Sequence, residues 1–256
     1  MQNTKDFLIK AAKLIFVLIF WLAVWEIIYL TVHKDILVPS PFSVTAALFR
    51  LCGQTEFWLS IGVSLSRILL GLFAGTVIGC IFAAATFASS FAKLLLSPLL
   101  QAIKATPIAS FIILALIWLE VGNVPILTAM LVVIPCVWAN VESGILSIDK
   151  ELVQMANCFK VPKSKVFFKI AVPSIRPYFL AAMSSSIGMA WKAGIAAEVI
   201  CPYKNSIGTA LHDSKIYFQT VNLFAWTITV IILSVVLEKV ILSIIRKGGK
   251  AGAQIQ

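Results

Sequence analysis

The sequence predicts an all-α membrane protein, a bundle of six transmembrane helices with one basic, half-amphipathic loop between the fourth and the fifth. Three observations predict it. Hydrophobic residues make up 60% of the 256 positions and charged ones only 12%, with a mean hydropathy of +0.99. Soluble domains carry about 25% charged residues, so this chain cannot cover a water-facing surface, and disorder is excluded by the same balance. Six stretches approach the roughly 20 apolar residues that cross a hydrocarbon core of about 30 Å at about 1.5 Å per residue. Runs such as IILALIWL (112–119) do not alternate, which excludes a closed β-barrel built from alternating segments of about 10 residues.

The chain is expected to form a single transmembrane domain, 1–256, with spans near 12–32, 58–87, 104–120, 124–146, 178–200 and 221–245. The first follows Lys5, Lys10 and Lys13 and resembles a signal peptide. No small-residue cleavage site follows it, and the chain runs on through EIIYLTVHKDILVPSP, so it reads as an uncleaved span. The second contains GLFAGTVIGCIFAAA, with Gly71, Gly75, Gly79 and Ala83 four apart. That spacing lines small residues along one side, where another helix can approach closely. The seam is either static packing or a contact that shifts during a transport cycle. The third span is short and polar at its start.

The fourth and fifth spans carry charge at membrane depth, which is costly and usually faces a bundle interior or a wet cavity. Glu26 and Glu142 are such residues, and above all Lys192, in SSSIGMAWKAGIAAEVI. Lys192 falls about fourteen residues into the fifth span. Glu198 lies six residues on, roughly 120° away around the helix, and cannot easily neutralise it. Lys192 either lines a pathway and attracts an anionic substrate, with Glu142 and Glu198 as further candidate pathway residues, or pairs with an acid on another helix such as Glu142.

Six crossings from a cytoplasmic N-terminus put fifteen Lys and Arg residues on the cytoplasmic side. Five remain outside: Lys34, Arg50, Arg67, Lys204 and Lys215. Such asymmetry sets orientation, so both termini and the 147–177 loop are expected in the cytoplasm of a prokaryotic cell, the chain lying in its inner membrane. The net charge of +10 is spread over helix ends, where it meets anionic lipid, and not over a patch that would bind nucleic acid. The five cysteines show no CxxC spacing, although Cys52 and Cys201 both fall near the outer face. Metal-ligand clusters and nucleophile–base pairs are absent, so no catalytic residue and no metal site is expected. No GxxxxGK[ST] loop occurs, and energy for transport must come from a partner or an ion gradient.

The stretch KELVQMANCFKVPKSKVFFKIAVPSIRP (150–177) holds six of the twenty-one basic residues and three of the ten prolines. Leu152, Met155, Ala156 and Phe159 stand at i, i+3, i+4 and i+7, the stripe of a short amphipathic helix. Asp149 is placed to cap it, Glu151 suits its first turn, and Pro162 stops it. A second short helix, KSKVFFKIA, is expected to end at Pro173. Helices of about ten residues are marginal alone in water, so they rest either on lipid or in a groove of another protein.

This stretch resembles the cytoplasmic EAA loop of ATP-binding cassette importer permeases. That family's loop has an EAA start, a Gly, nine residues, and Ile-x-Leu-Pro. Here Ala156 matches the last alanine, Lys160 stands in place of the glycine, and Ile170 to Pro173 (IAVP) follows nine residues later. Gln154, Met155 and Val172 also depart. VPSPFSVTAALFRL, SPLLQAIKATPIASFIILALIWLEVG and AWKAGIAAEVI with SIGTALHDSKIYFQT are similar to segments of the nitrate/sulfonate/taurine-type permeases. The resemblance implies a type I importer permease fold with no enzymatic activity or cofactor of its own. It implies a second permease copy, as a homodimer, and a cytoplasmic ABC ATPase dimer that binds the ATP and docks on Glu151, Leu152, Met155, Ala156, Phe159, Lys160, Ile170 and Pro173. An extracytoplasmic binding protein would deliver a small, anionic or aromatic, vitamin-like solute. The rival readings are an ion-coupled secondary transporter, which expects inverted repeats, and an integral-membrane lipid enzyme, which expects clustered His, Asp or Glu.

Overall fold

The computed structural model describes the backbone of residues 2–251 and the side chains from Lys13 to Ile245, Leu14 excepted. The extreme termini, and the side chains of Lys5, Lys10, Arg246, Lys247 and Lys250 that enter the charge asymmetry, lie outside the described residues. Within them every regular element is helical. The long elements are α1 (Gln2–Val32), α2 (Pro41–Cys52), α3 (Thr55–Ala88), α4 (Ser90–Ala105), α5 (Ile108–Trp118) and α6 (Val124–Leu146). After them come α7 (Lys150–Cys158), α8 (Lys163–Val166), α9 (Val172–Ile200), α10 (Ile207–Ile216) and α11 (Thr220–Ala251). Five segments are long and apolar enough to cross a membrane unaided, and α4 with α5 makes a sixth if the bent pair is one span.

Two expected boundaries change. The third span, expected at 104–120, is instead α4 and α5 meeting at a 108° bend. Pro107 has no N–H to continue the ladder and drives the residue before it out of the helical region. Thr106 accordingly takes an extended φ of −80° and ψ of 129°. The fifth span also begins earlier than 178, because the short helix expected to end at Pro173 runs on through it. A wide turn over Phe167–Ala171, in which the Val172 N–H donates to the Phe167 carbonyl five residues back, shifts the ladder just before the proline and takes up its missing donor. Helical backbone is thus continuous from Lys163 to Ile200.

The chain divides into two compact units. One comprises residues to Leu59 with Ala210–Val230. Ser40 opens its α2 by accepting from the Ser43 N–H at 3.2 Å, with Pro41 in the first turn, where a missing donor costs nothing. Trp25 donates to the Pro39 carbonyl at 3.1 Å and stacks on Phe224, and Phe57 packs on Trp226. Arg50 donates to Asn222 at 3.1 Å and Thr220 to the Ile36 carbonyl at 2.6 Å, which ties the start of α11 to the α1–α2 loop.

The other unit comprises Ser60–Thr209 and the chain from Ile231, and its core lies where α6 packs along α9. Fully buried Trp138, Val133 and Val137 of α6 and Trp191, Ile187 and Ala190 of α9 fill it. The expected glycine seam of α3 meets α6. A Cβ at Gly71 would stand 2.4 Å from the Ile126 carbonyl oxygen, one at Gly75 2.8 Å from that of Met130, and one at Gly79 2.9 Å from Val137 Cβ. Backbones that approach this closely admit no methyl group, which is the packing that replaces the hydrophobic effect between helices in lipid. Nearby, Trp138 Nε1 donates to Thr86 at 3.1 Å, bonding α6 to α3. All five cysteines are free.

Gly75→Val should therefore lower the thermal stability of the detergent-purified protein by the equivalent of about 1–3 kcal/mol, the usual cost of overpacking. Gly62→Ala, at an open position with nothing within 4 Å, should leave the melting profile unchanged. Equal melting of the two variants would refute the tight seam.

Candidate functional site

Three sets of residues carry chemistry, and the first is the connection from α6 to α9. Asp149 caps α7 by accepting from the N–H groups of Glu151 at 2.8 Å and Leu152 at 3.4 Å, and Glu151 sits exposed in the first turn, favourable to the helix dipole. The expected apolar stripe divides. Ala156 is 5% exposed and packs inward, whereas Leu152, Met155 and Phe159 are 43, 52 and 77% exposed. Helix α7 thus presents a bare apolar ridge. Ile170 is half-buried within the wide turn, and Pro173 is exposed.

Lys160 ends α7 in the left-handed region, at φ 52°. Its N–H donates to the Asn157 carbonyl at 3.0 Å, and the Val161 N–H reaches back to that of Ala156 at 2.9 Å. These two bonds make a Schellman C-cap with a lysine in the glycine position. The turn that the sequence left open is therefore made with the backbone shape a glycine would give, against a left-handed cost of roughly 1–2 kcal/mol for a residue with a Cβ.

The second set lines two adjoining cavities of about 350 and 390 Å³ that share Ile108, Val132 and Met189. Helices α5, α6 and α9 wall them, with the end of α4 contributing Lys104 to one and α9 contributing Lys192 to the other. Lys192 stands eight residues before the end of α9, about 12 Å along the axis. Among the described residues it has neither an ion pair nor a hydrogen bond. Glu142, its anticipated partner, pairs instead with Lys93 of α4 at 3.0 Å. The polar groups of the wall are engaged elsewhere, since Thr106 donates to the Ala102 carbonyl and Thr128 to that of Val124, both at 2.8 Å.

The third set surrounds Glu198, which has no exposed surface and lies apart from the cavities. Its Oε2 accepts from the Ser64 hydroxyl at 2.6 Å and from the Gly208 N–H at 3.1 Å. The Ile207 N–H donates to Ser64 Oγ at 2.9 Å and the Thr209 N–H to Ser206 Oγ at 3.1 Å. The first three N–H groups of α10 are thereby all satisfied, from α3, α9 and the preceding loop, and the carboxylate suits the positive end of the helix. Arg67 lies 3.8 Å from Glu198 Oε1, with its guanidinium 4.5 Å from the centre of the Tyr203 ring. A Cβ at Gly208 would stand 2.2 Å from that of Glu198, so only glycine fits.

Sequence reasoning placed Arg67 in an outer loop, whereas it lies within α3 and pairs across 131 positions with Glu198. It also passed over Ser64 and Glu238. The latter, deep in α11, accepts from Ser184 of α9 at 3.2 Å. An acid and a base at membrane depth in separate spans were the available signal. Cys201 joins the core beside Ile112, Ala115, Val124 and Ala197, and burial pushes its thiol pKa up, so it packs as a small apolar group.

Residues 75–247 match the family model described as binding-protein-dependent transport system inner membrane component. The chain is 23% identical over 220 residues to the taurine transport system permease protein TauC of Escherichia coli, covering 84% of this chain and 80% of that one. It is 26% identical over 191 residues to the nitrate import permease protein NrtB of Synechococcus elongatus, covering 70% and 68%. In fold it is similar to a solved bacterial ABC transporter involved in the import of the acidic polysaccharide alginate, with a TM-score of 0.59 at 13% identity over 96% of this chain and 99% of that chain.

Two outcomes follow from the geometry. Lys160→Gly should stabilise the end of α7 by about 1 kcal/mol, read as roughly fivefold slower amide exchange in α7, and Lys160→Val should speed exchange. Glu198→Leu should destabilise the protein by about 3–5 kcal/mol, the cost of leaving a buried charge without its partner. Arg67→Met added to it should restore part of the loss in thermal unfolding, a recovery that independent sites would not show.

Proposed function

Since the chain belongs to the family of binding-protein-dependent transport system inner membrane components, we propose that a separate ATPase drives it through the α6–α9 connection. The chain is the membrane-spanning permease subunit of a binding-protein-dependent ABC importer. The observation that carries the proposal is the ridge of Leu152, Met155 and Phe159 on α7. Three large apolar side chains stand exposed on a helix capped at both ends, in a segment rich in lysine. That is the form of a helix built to lie in another protein's groove.

In this reading a cytoplasmic ABC ATPase dimer binds the ATP, and its closure moves α7. The cavity between the permease helices then switches the side it faces, a form of alternating access. A second copy of the chain, as a homodimer, completes the pathway, and an extracytoplasmic binding protein supplies solute. Both ends of the chain lie in the cytoplasm, in keeping with the excess of basic residues on that side. The solute is small and anionic or aromatic. Taurine and nitrate, named for the relatives, support the first class. Family membership disfavours the ion-coupled transporter and the lipid enzyme alike.

Because Ala156 is buried, substitution there would disturb α7 itself, and Phe159 gives the cleaner test. Phe159→Glu should weaken co-purification of the ATPase at least tenfold, about 1.4 kcal/mol, with the permease's own melting unchanged. Undiminished co-purification would overturn docking on this ridge.

A further inference from the structure

The two cavities along α5, α6 and α9 differ from an ordinary gap in a helix bundle in the charge they carry. Each has one lysine in its wall, Lys104 in one and Lys192 in the other, and among the described residues no acid lines either. The remaining wall is apolar, with Ile108, Phe111, Val132 and Met189 prominent in it. Neither lysine has an ion pair among the described residues. The wall threonines are bonded within their own helices, which leaves the ammonium groups as the free donors. An unneutralised charge at membrane depth is retained where it faces water or a counter-charge that comes and goes.

We propose that these cavities form one compartment for an organic anion with an apolar body, and that Lys192 determines its charge selectivity, with Lys104 as a second cation. This rests on the permease reading and names the substrate class of that pathway. Size and wall chemistry select within the anions. About 350–390 Å³ per cavity is some tenfold the roughly 30 Å³ a water molecule occupies in the liquid, room for an organic body. An apolar wall gains from burying carbon, and it offers a small hydrated inorganic anion nothing in place of its water. The compartment therefore favours a carboxylate, sulfonate or similar monoanion carrying a hydrocarbon or aromatic portion.

The test needs no knowledge of the solute. Met189, which lines both cavities and is 37% exposed, is replaced by cysteine in the full chain, held in lipid nanodiscs. The protein is treated with membrane-impermeant thiosulfonate reagents of matched size, one ending in a sulfonate and one in a trimethylammonium. The adduct at residue 189 is followed by peptide mass spectrometry, so the native cysteines remain in place. Ala196→Cys, also on the cavity wall, serves as a second reporter should Met189→Cys perturb the fold. Charge focusing in a cleft raises local counter-ion concentration by about 10-fold or more. The anionic reagent should therefore react about tenfold faster than the cationic one. Adding Lys192→Met should bring the ratio near one, and Lys192→Arg should keep it. A ratio near one in the parent, or one that Lys192→Met leaves unchanged, would overturn the proposal. Failure of both reagents to reach either position would overturn it too, since the compartment would then be closed to water. The labelling requires no ATPase and no binding protein. Loss of the docking reading at Phe159 would therefore leave this result standing, and the reverse also holds.

Discussion

A polar group inside hydrocarbon has no water to bond, so it must find a partner within the bundle or face a wet cavity. Where this chain is rigid and where it is open both follow from that demand. The first turn of α10 would otherwise bury three donors without acceptors. Ser64, Glu198 and Ser206 supply them from three separate segments, and Gly208 is small enough to let the Glu198 carboxylate come in. Arg67 then balances the acid and rests on Tyr203. Removal of any one member leaves another stranded in an apolar surround, which makes α3, α9 and the start of α10 a single structural piece. The glycine seam of α3 against α6 fastens the same helix along its length by a different means, close backbone contact.

Against that background, two features stand out because the demand is left unmet within the chain. Lys192 is a charge among apolar walls. The Leu152, Met155 and Phe159 ridge is apolar surface on the most basic segment. They are opposite kinds of mismatch, and each is corrected by a partner of the complementary kind: an anion in the first case, an apolar groove in the second. Surface of either sort costs free energy in isolation, so its presence on an otherwise satisfied scaffold marks where something else must bind.

Much of this could be read in the sequence, because the forces involved are local. The apolar runs set the spans, Asp149 and Pro162 bounded α7, and the four-residue glycine spacing forecast a close helix contact. What was missed depended on distance or on backbone detail. Arg67 was assigned to a loop because lysines and arginines ordinarily mark loops, and only the fold brings it to Glu198. Glu142 was matched with the wrong lysine, since nothing in the order of residues says that α4 rather than α9 lies alongside. The two prolines show how little a single residue type decides. Pro107 breaks the third span into α4 and α5, whereas Pro173 sits in continuous helix, because a wide turn over Phe167–Ala171 absorbs it.

That continuity bears on how a permease of this kind transmits force. From Lys163 to Ile200 the backbone is helical without a break, and at about 1.5 Å per residue those 38 residues span about 57 Å. One end adjoins α7 through the tight Lys160 turn, and the other carries Lys192 and then Glu198. A helix of that length bends only gently except at a proline or a wide turn, and here both lie near the α7 end. A push on α7 therefore has its compliant point close to where it is applied, while the stretch beyond Pro177, packed along α6, moves as a unit. Lys192 lies on that stretch and Glu198 anchors its far end to α3. Displacement must then either carry α3 along or strain the Arg67–Glu198 pair, so any change in the cavity around Lys192 is tied to the integrity of that junction.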